Sequence, residues 1–258
     1  MKTIKTITII TLVLFFSACK KQAGPQGPSG EAGANGTVTN GTITGRVVRY
    51  DEYGTLSNAT WSNTSVSIDG TSFSTITDTT GSYTLNNVPA GVYTISYSKL
   101  NLANTKEQQI SFPGNGKLYV NTSIADKATF NITGYVKDTI VSSVPQIRCN
   151  IAITTYTNSR NITVIYSKVN SLTISNNLSY QYVEHFNTYP NSTNFQFGNT
   201  YIYNNPAYNS IFPSGSVIYV KVYPNNTQKS SYYDYPSGKY VYTGCGIPIA
   251  TTFTLTKP

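Results

Sequence analysis

The chain has 258 residues, 39% of them hydrophobic, enough for one or two packed domains. Charged residues make up only 11%, less than half the usual ~25%, so Ser, Thr, Asn and Tyr must supply the polar surface, as in extracellular β-proteins. The formal net charge is +8, but Lys and Arg are scattered rather than clustered, which argues against a nucleic-acid partner.

Residues 1–18, MKTIKTITIITLVLFFSA, have the layout of a secretory signal. Lys2 and Lys5 form a positive start, Ile7 to Phe16 an apolar run, and Ser17-Ala18 a small-residue end. That run is too short to span a bilayer. The segment Phe16-Ser17-Ala18-Cys19 resembles a bacterial lipobox, with Phe16 where Leu is usual. The resemblance implies that Cys19 is acylated, becomes the new N-terminus and anchors the chain in a membrane, each buried methylene adding ~0.8 kcal/mol. Ordinary cleavage leaving a free thiol is the alternative. No Asp follows Cys19, and the Cys-Lys-Lys start resembles lipoproteins of the Bacteroidetes group. That implies an outer-membrane address, with the leaflet open. Gly24, Gly27, Gly30, Gly33 and Gly36 then repeat at every third position, a collagen-like pattern. So short a run does not hold a triple helix in isolation, so residues 19–40 read as a tether.

From Gly41 the pattern changes to period-two alternation. Val66 and Ile68, Tyr83 and Leu85, and Tyr93, Ile95 and Tyr97 alternate with polar residues. Asp69-Gly70, Asp78-Thr79-Thr80-Gly81 and Pro89-Ala90-Gly91 punctuate them as turns, so half-buried strands are expected. Gly45-x-Val47, the Val66 to Thr71 stretch VSIDGT, Thr77 to Leu85 and Asn87 to Tyr93 follow in an order that resembles the carboxypeptidase regulatory-like family. The resemblance covers residues 41–126 and implies a seven-stranded, transthyretin-like β-sandwich with an accessory role and no catalytic residues. An insertion, DEYGTLSNATWSNTS, departs from that pattern and holds the sole tryptophan, Trp61. On a loop, Trp61 would stack on a sugar ring; at the end of the sandwich it would plug the core, the preferred reading.

Residues 127–258 offer about seven further strand candidates between Asn, Pro, Ser and Gly. They predict a second β-sandwich, immunoglobulin- or fibronectin-like, or a second transthyretin-like module, since FNITGYVKDT echoes GTITGRVVRY. The expected fold is therefore all-β, two sandwiches in tandem. In an oxidising envelope Cys149 and Cys245 are expected to form a disulfide, adding ~4–5 kcal/mol in the chain-entropy model; two separate buried thiols are the alternative. Tyrosines crowd this half. Tyr240 and Tyr242 alternate with Val241 and read as strand residues, whereas Tyr232 and Tyr233 read as loop residues and candidates for stacking on a ligand.

Motifs for chemistry are missing. His185, beside Glu184, is the sole histidine, so zinc peptidase motifs and zinc sites are ruled out. No Gly-x-Ser-x-Gly or phosphate-cradling loop occurs, and no carboxylate pair stands out. The expectation is a non-catalytic cell-envelope lipoprotein without cofactor, a binding or scaffold module at the outer membrane. Its partners would be the membrane, through the lipid, and a glycan, a peptide or another envelope protein. A surface adhesin or structural envelope protein without small ligand, and a glycan-binding lipoprotein, are the alternatives. An exposed aromatic row would favour a glycan, a flat polar surface an adhesin, and a cleft with converging carboxylates an enzyme.

Overall fold

In the computed structural model the alternating stretches fold into four sheets and one separate hairpin. The structure describes residues 39–141, 144–153, 158–172, 182–189, 194–199, 206–228 and 230–257. The signal, Cys19 and the tether to residue 38 lie outside the described residues.

Nine strands make the first sandwich: β1 (Asn40–Tyr50), β2 (Ser65–Ile68), β3 (Ser74–Ile76), β4 (Ser82–Pro89), β5 (Gly91–Ser98), β6 (Leu102–Ala103), β7 (Thr105–Phe112), β8 (Lys117–Tyr119) and β9 (Thr122–Asp126). One sheet runs β4-β1-β9-β6, with β8 also on β1, and the facing sheet runs β3-β2-β5-β7. This exceeds the seven strands that the resemblance implies. The surplus comes from short pieces such as β6 and β8, two and three residues long. The alternating residues meet between the sheets: Ile43 and Val47 from β1, Val66 and Ile68 from β2, Tyr83 and Leu85 from β4, Ile95 and Tyr97 from β5. Buried phenols need partners, and these find them. The Tyr83 and Tyr97 hydroxyls lie 2.8 Å apart, and Tyr83 donates to the Val120 carbonyl at 2.7 Å.

β1 is the spine of this half. It pairs antiparallel with β4 along one edge and parallel with β8 and then β9 along the other. Gly45 marks the changeover. A Cβ there would sit 1.9 Å from the Val120 carbonyl oxygen, so only glycine lets the chain between β8 and β9 pass so close.

The second half holds β10 (Ile132–Val141), β11 (Val144–Ile153), β12 (Arg160–Ser167), β13 (Tyr182–Thr188), β14 (Asn194–Asn199), a one-turn helix α1 (Pro206–Asn209), β15 (Val217–Asn225), β16 (Ser231–Asp234), β17 (Lys239–Tyr242) and β18 (Phe253–Thr256). A three-stranded sheet, β10-β11-β14, faces a four-stranded sheet, β13-β12-β15-β18. Their shared core includes Ile147, Cys149 and Ile151 from β11, Ile162 and Val164 from β12, and Val220 and Val222 from β15. β12 is buried at every residue because its sheet is covered on both faces. Residues 163, 165 and 167 point away from that core, and Ile165 packs with Leu172, Tyr223, Tyr242 and Cys245 in a third, outer cluster.

The outer cluster explains why Cys149 and Cys245 are both free thiols, not the expected disulfide. Cys149 faces the inner core, and Cys245 packs on the opposite face of the four-stranded sheet. A sheet stands between the two sulfurs, and burial pushes each thiol up to about 12.

The described residues form one compact unit. The loop between β1 and β2, read as a bare insertion, joins the two halves. Glu52 accepts from the Thr129 backbone N–H at 2.6 Å and meets Arg160 Nη1 at 3.4 Å. The Arg160 guanidinium lies over the rings of Tyr53 and Phe130, 4.1 and 5.1 Å from their centroids, and donates to the Tyr53 hydroxyl at 3.1 Å.

Candidate functional site

Tyr232 and Tyr233 lie in strand β16, not in a loop. β16 and β17 pair in register, Tyr232 opposite Val241 and Tyr233 opposite Tyr240. Alternation therefore gives the hairpin two different faces. Val241 is buried, and Tyr232 lies under Lys106 of β7, whose Nζ is 5.6 Å from the ring centroid. This face packs toward the first sandwich, and burial raises the Tyr232 phenol above its ordinary range. Two further contacts hold the hairpin there. Gln108 Nε2 donates to the Tyr233 carbonyl, and Thr243 Oγ1 donates to the Asn104 carbonyl at 2.6 Å.

The other face is aromatic and open. Tyr235 is 57% exposed, Tyr240 51% and Tyr233 37%. Tyr233 meets both neighbours edge to face, with centroids 5.2 Å apart in each case. The row continues from Tyr240 to Tyr242, and from Tyr242 to the ring of His185 at 5.0 Å. Tyr182 of β13 and Ile211, just past α1, close the far wall. The result is a shallow depression of about 520 Å³ lined by Tyr182, Val183, Ile211, Tyr233, Gly238, Lys239, Tyr240 and Tyr242.

Tyr182 is fixed from behind. It stacks on Tyr166, touches Tyr208, and its hydroxyl donates to Glu184 at 3.2 Å. Tyr166 donates to the same carboxylate at 2.8 Å. Burial first, and the nearby Glu184 charge second, push the Tyr182 phenol well up, so it stays a neutral donor. Glu184 and His185 leave β13 on opposite faces. Glu184 points to the tyrosine hydroxyls, while His185 Nδ1 lies 2.9 Å from Thr163 Oγ1. They do not form an acid–base pair.

Trp61 is elsewhere, in a depression that shares no residue with the first. It does not plug the core: it is half-buried at the surface and outside the apolar cluster of the first sandwich. Its ring is covered by the Arg46 guanidinium, 4.6 Å from the centroid, and packs at Gly81, where a Cβ would come within 3.2 Å of the indole. Its N–H donates to the Ser57 carbonyl at 3.1 Å. Trp61 thus pins the insertion loop, with its polar handle used and one ring face covered. No Asp or Glu lines either depression.

Of the three aromatic candidates, the structure brings only Tyr233 to the depression. Tyr182, Tyr240 and Tyr242 complete it. Tyr240 and Tyr242 are strand residues, as their alternation with Val241 predicts, but the same alternation that buries Val241 turns them toward Tyr233.

No family model matches the chain, and no curated protein matches it. Solved structures match at low similarity. A type II cohesin–X-dockerin complex of Acetivibrio cellulolyticus aligns with 34% of this chain and 59% of its own, at 23% identity and a TM-score of 0.29. The chain thus spans under two thirds of that match. A DUF3823 family protein from Bacteroides uniformis aligns over 84% and 99%, at 10% identity and a TM-score of 0.31. A Bacteroides uniformis protein proposed to bind carbohydrate aligns over 84% and 99%, at 14% identity and a TM-score of 0.27. Similarity at this level assigns neither family nor ligand.

Proposed function

We propose that this chain is a non-catalytic module of the cell envelope, held by a lipid on Cys19, that engages its ligand or partner through the tyrosine-lined depression. The observation that carries the reading is the concave row of partly exposed tyrosines, with no carboxylate in its lining. Exposed aromatic rings grouped in a concave surface mark binding sites, whereas acid–base catalysis needs positioned titratable groups. In this reading residues 41–126, a carboxypeptidase regulatory-like module, brace the hairpin, and residues 127–258 carry the site. Residues 19–40 tether both to the outer membrane.

Two measurements test it. Cys19→Ser should move the protein from the membrane to the soluble fraction of the cells that make it; retention in the membrane would sink the anchor. A photo-crosslinking residue at Tyr240 should capture material that the same residue at exposed Val92 does not. Equal capture at both positions would remove the depression as the binding surface.

A further inference from the structure

The depression also constrains the chemistry of what enters it, and we infer that the ligand is a carbohydrate chain. This deepens, and rests on, the reading of the depression as the binding surface. The wall tyrosines offer apolar rings, and Tyr233 and Tyr240, both partly exposed, add a hydroxyl at the ring's rim. A pyranose is the matching object: its C–H faces are apolar and its edges carry hydroxyls. Lys239 contributes to the lining and no carboxylate does, which disfavours a cationic ligand, since aromatic sites for cations gain from nearby negative charge. An apolar small molecule fits poorly, because the depression is shallow and would leave it wet, and such ligands bury most of their surface. Peptides that add a strand need an open sheet edge. Among the described strands β13 ends its sheet beside the depression, but the tyrosine wall is the broad face of β16 and β17, and a strand paired along that edge would leave those rings unused. A polyhydroxylated chain that lays one face on rings and keeps the other in water suits this surface.

The rings are also set in advance. Gln108 and Lys106 of β7 hold the back of the hairpin, and Tyr182 is fixed by Glu184. Tyrosine loses few rotamers on binding, so little ordering remains to be done.

The test is affinity electrophoresis of the full chain, in a polyoxyethylene detergent, through gels containing neutral polysaccharides (xylan, β-glucan, starch, mannan) or anionic ones (pectin, alginate). A fluorescent polyproline peptide is titrated in parallel. Retardation is expected in at least one polysaccharide. Tyr240→Ala and Tyr233→Ala should each weaken it about tenfold, the loss of one stacking ring, with Tyr119→Ala, an exposed tyrosine of β8, unchanged. Circular dichroism verifies that the variants fold. No retardation in any gel overturns the inference. If the peptide binds instead and Tyr240→Ala abolishes that, the depression stands as a binding surface and the carbohydrate class fails. If polysaccharide binding survives both alanine changes, the depression itself is refuted.

Discussion

Glu52→Ala tests how strongly the insertion loop couples the two halves. Glu52 and Arg160 are each about 10% exposed at the side chain, so the pair is shielded from solvent. At 3.4 Å their contact is longer than a strong charge-assisted bond of ~2.7–2.9 Å. The 2.6 Å bond from the Thr129 N–H therefore matters as much to Glu52 as the guanidinium does. Removing the carboxylate takes the facing counter-charge from a guanidinium enclosed by Tyr53 and Phe130, typically a loss of ~3–5 kcal/mol. Stacking on those rings survives and returns ~1–2 kcal/mol relative to a bare charge. The expectation is the low end, about 3 kcal/mol. Glu52→Gln keeps an acceptor for Thr129 and should cost about half as much. Glu52→Gln combined with Arg160→Met removes the charge from both sides and should cost less than the sum of the single changes. Urea unfolding followed by far-UV circular dichroism is the assay. With a slope of ~2–3 kcal/mol per molar urea, the Glu52→Ala midpoint should fall by about 1 M. A midpoint within error of wild type, or additive single and double changes, would refute the coupling.

Three other outcomes follow from the geometry. Burial raises Tyr83 to about 12, whereas an unfolded phenol titrates near ~10. Between these values the unfolded chain has lost a proton that the folded chain keeps. Tyr83 should therefore contribute fully below pH ~10 and lose about 3 kcal/mol as pH rises to ~12, a slope that Tyr83→Phe should reduce in pH-dependent urea melts. Gly45→Ala forces a Cβ onto the Val120 carbonyl and should lower stability by about 1–3 kcal/mol, visible as a thermal midpoint several degrees lower; an unchanged midpoint would contradict the close approach. Both Cys149 and Cys245 should resist a thiol reagent in the folded protein and react once it is unfolded in denaturant without reductant. An intact mass two hydrogens lighter would mean that they are joined after all.

The regions of the fold that were legible in the sequence are those where one face is wet. β1, β4 and β5 alternate because their outer residues meet solvent, and the period shows. β16 hid for the opposite reason. Tyr232 and Tyr233 are used on opposite faces, one under Lys106 and one in the depression, so two like residues sit side by side and the alternation vanishes. The cysteines misled in the same way. The run Ile162 to Tyr166 is nearly all apolar because its sheet is covered on both sides, so nothing local told which face Cys245 would reach. That continuous run was itself the available signal of a doubly covered sheet. The partnership of Glu52 with Arg160 spans 108 positions and has no local signature at all.

The parallel pairing of β1 with β9 has a mechanical consequence. The chain enters β1 at Asn40, and β9 ends at Asp126 and leads on to β10 of the second half. Val47 to Tyr50 lie beside Thr122 to Ala125, running the same way. A load applied ahead of Asn40 and resisted by a ligand in the second half would draw the two strands past each other lengthwise. Their evenly spaced hydrogen bonds would then share the strain together rather than break in succession. Such a joint resists tension better than a hairpin pulled open from its end.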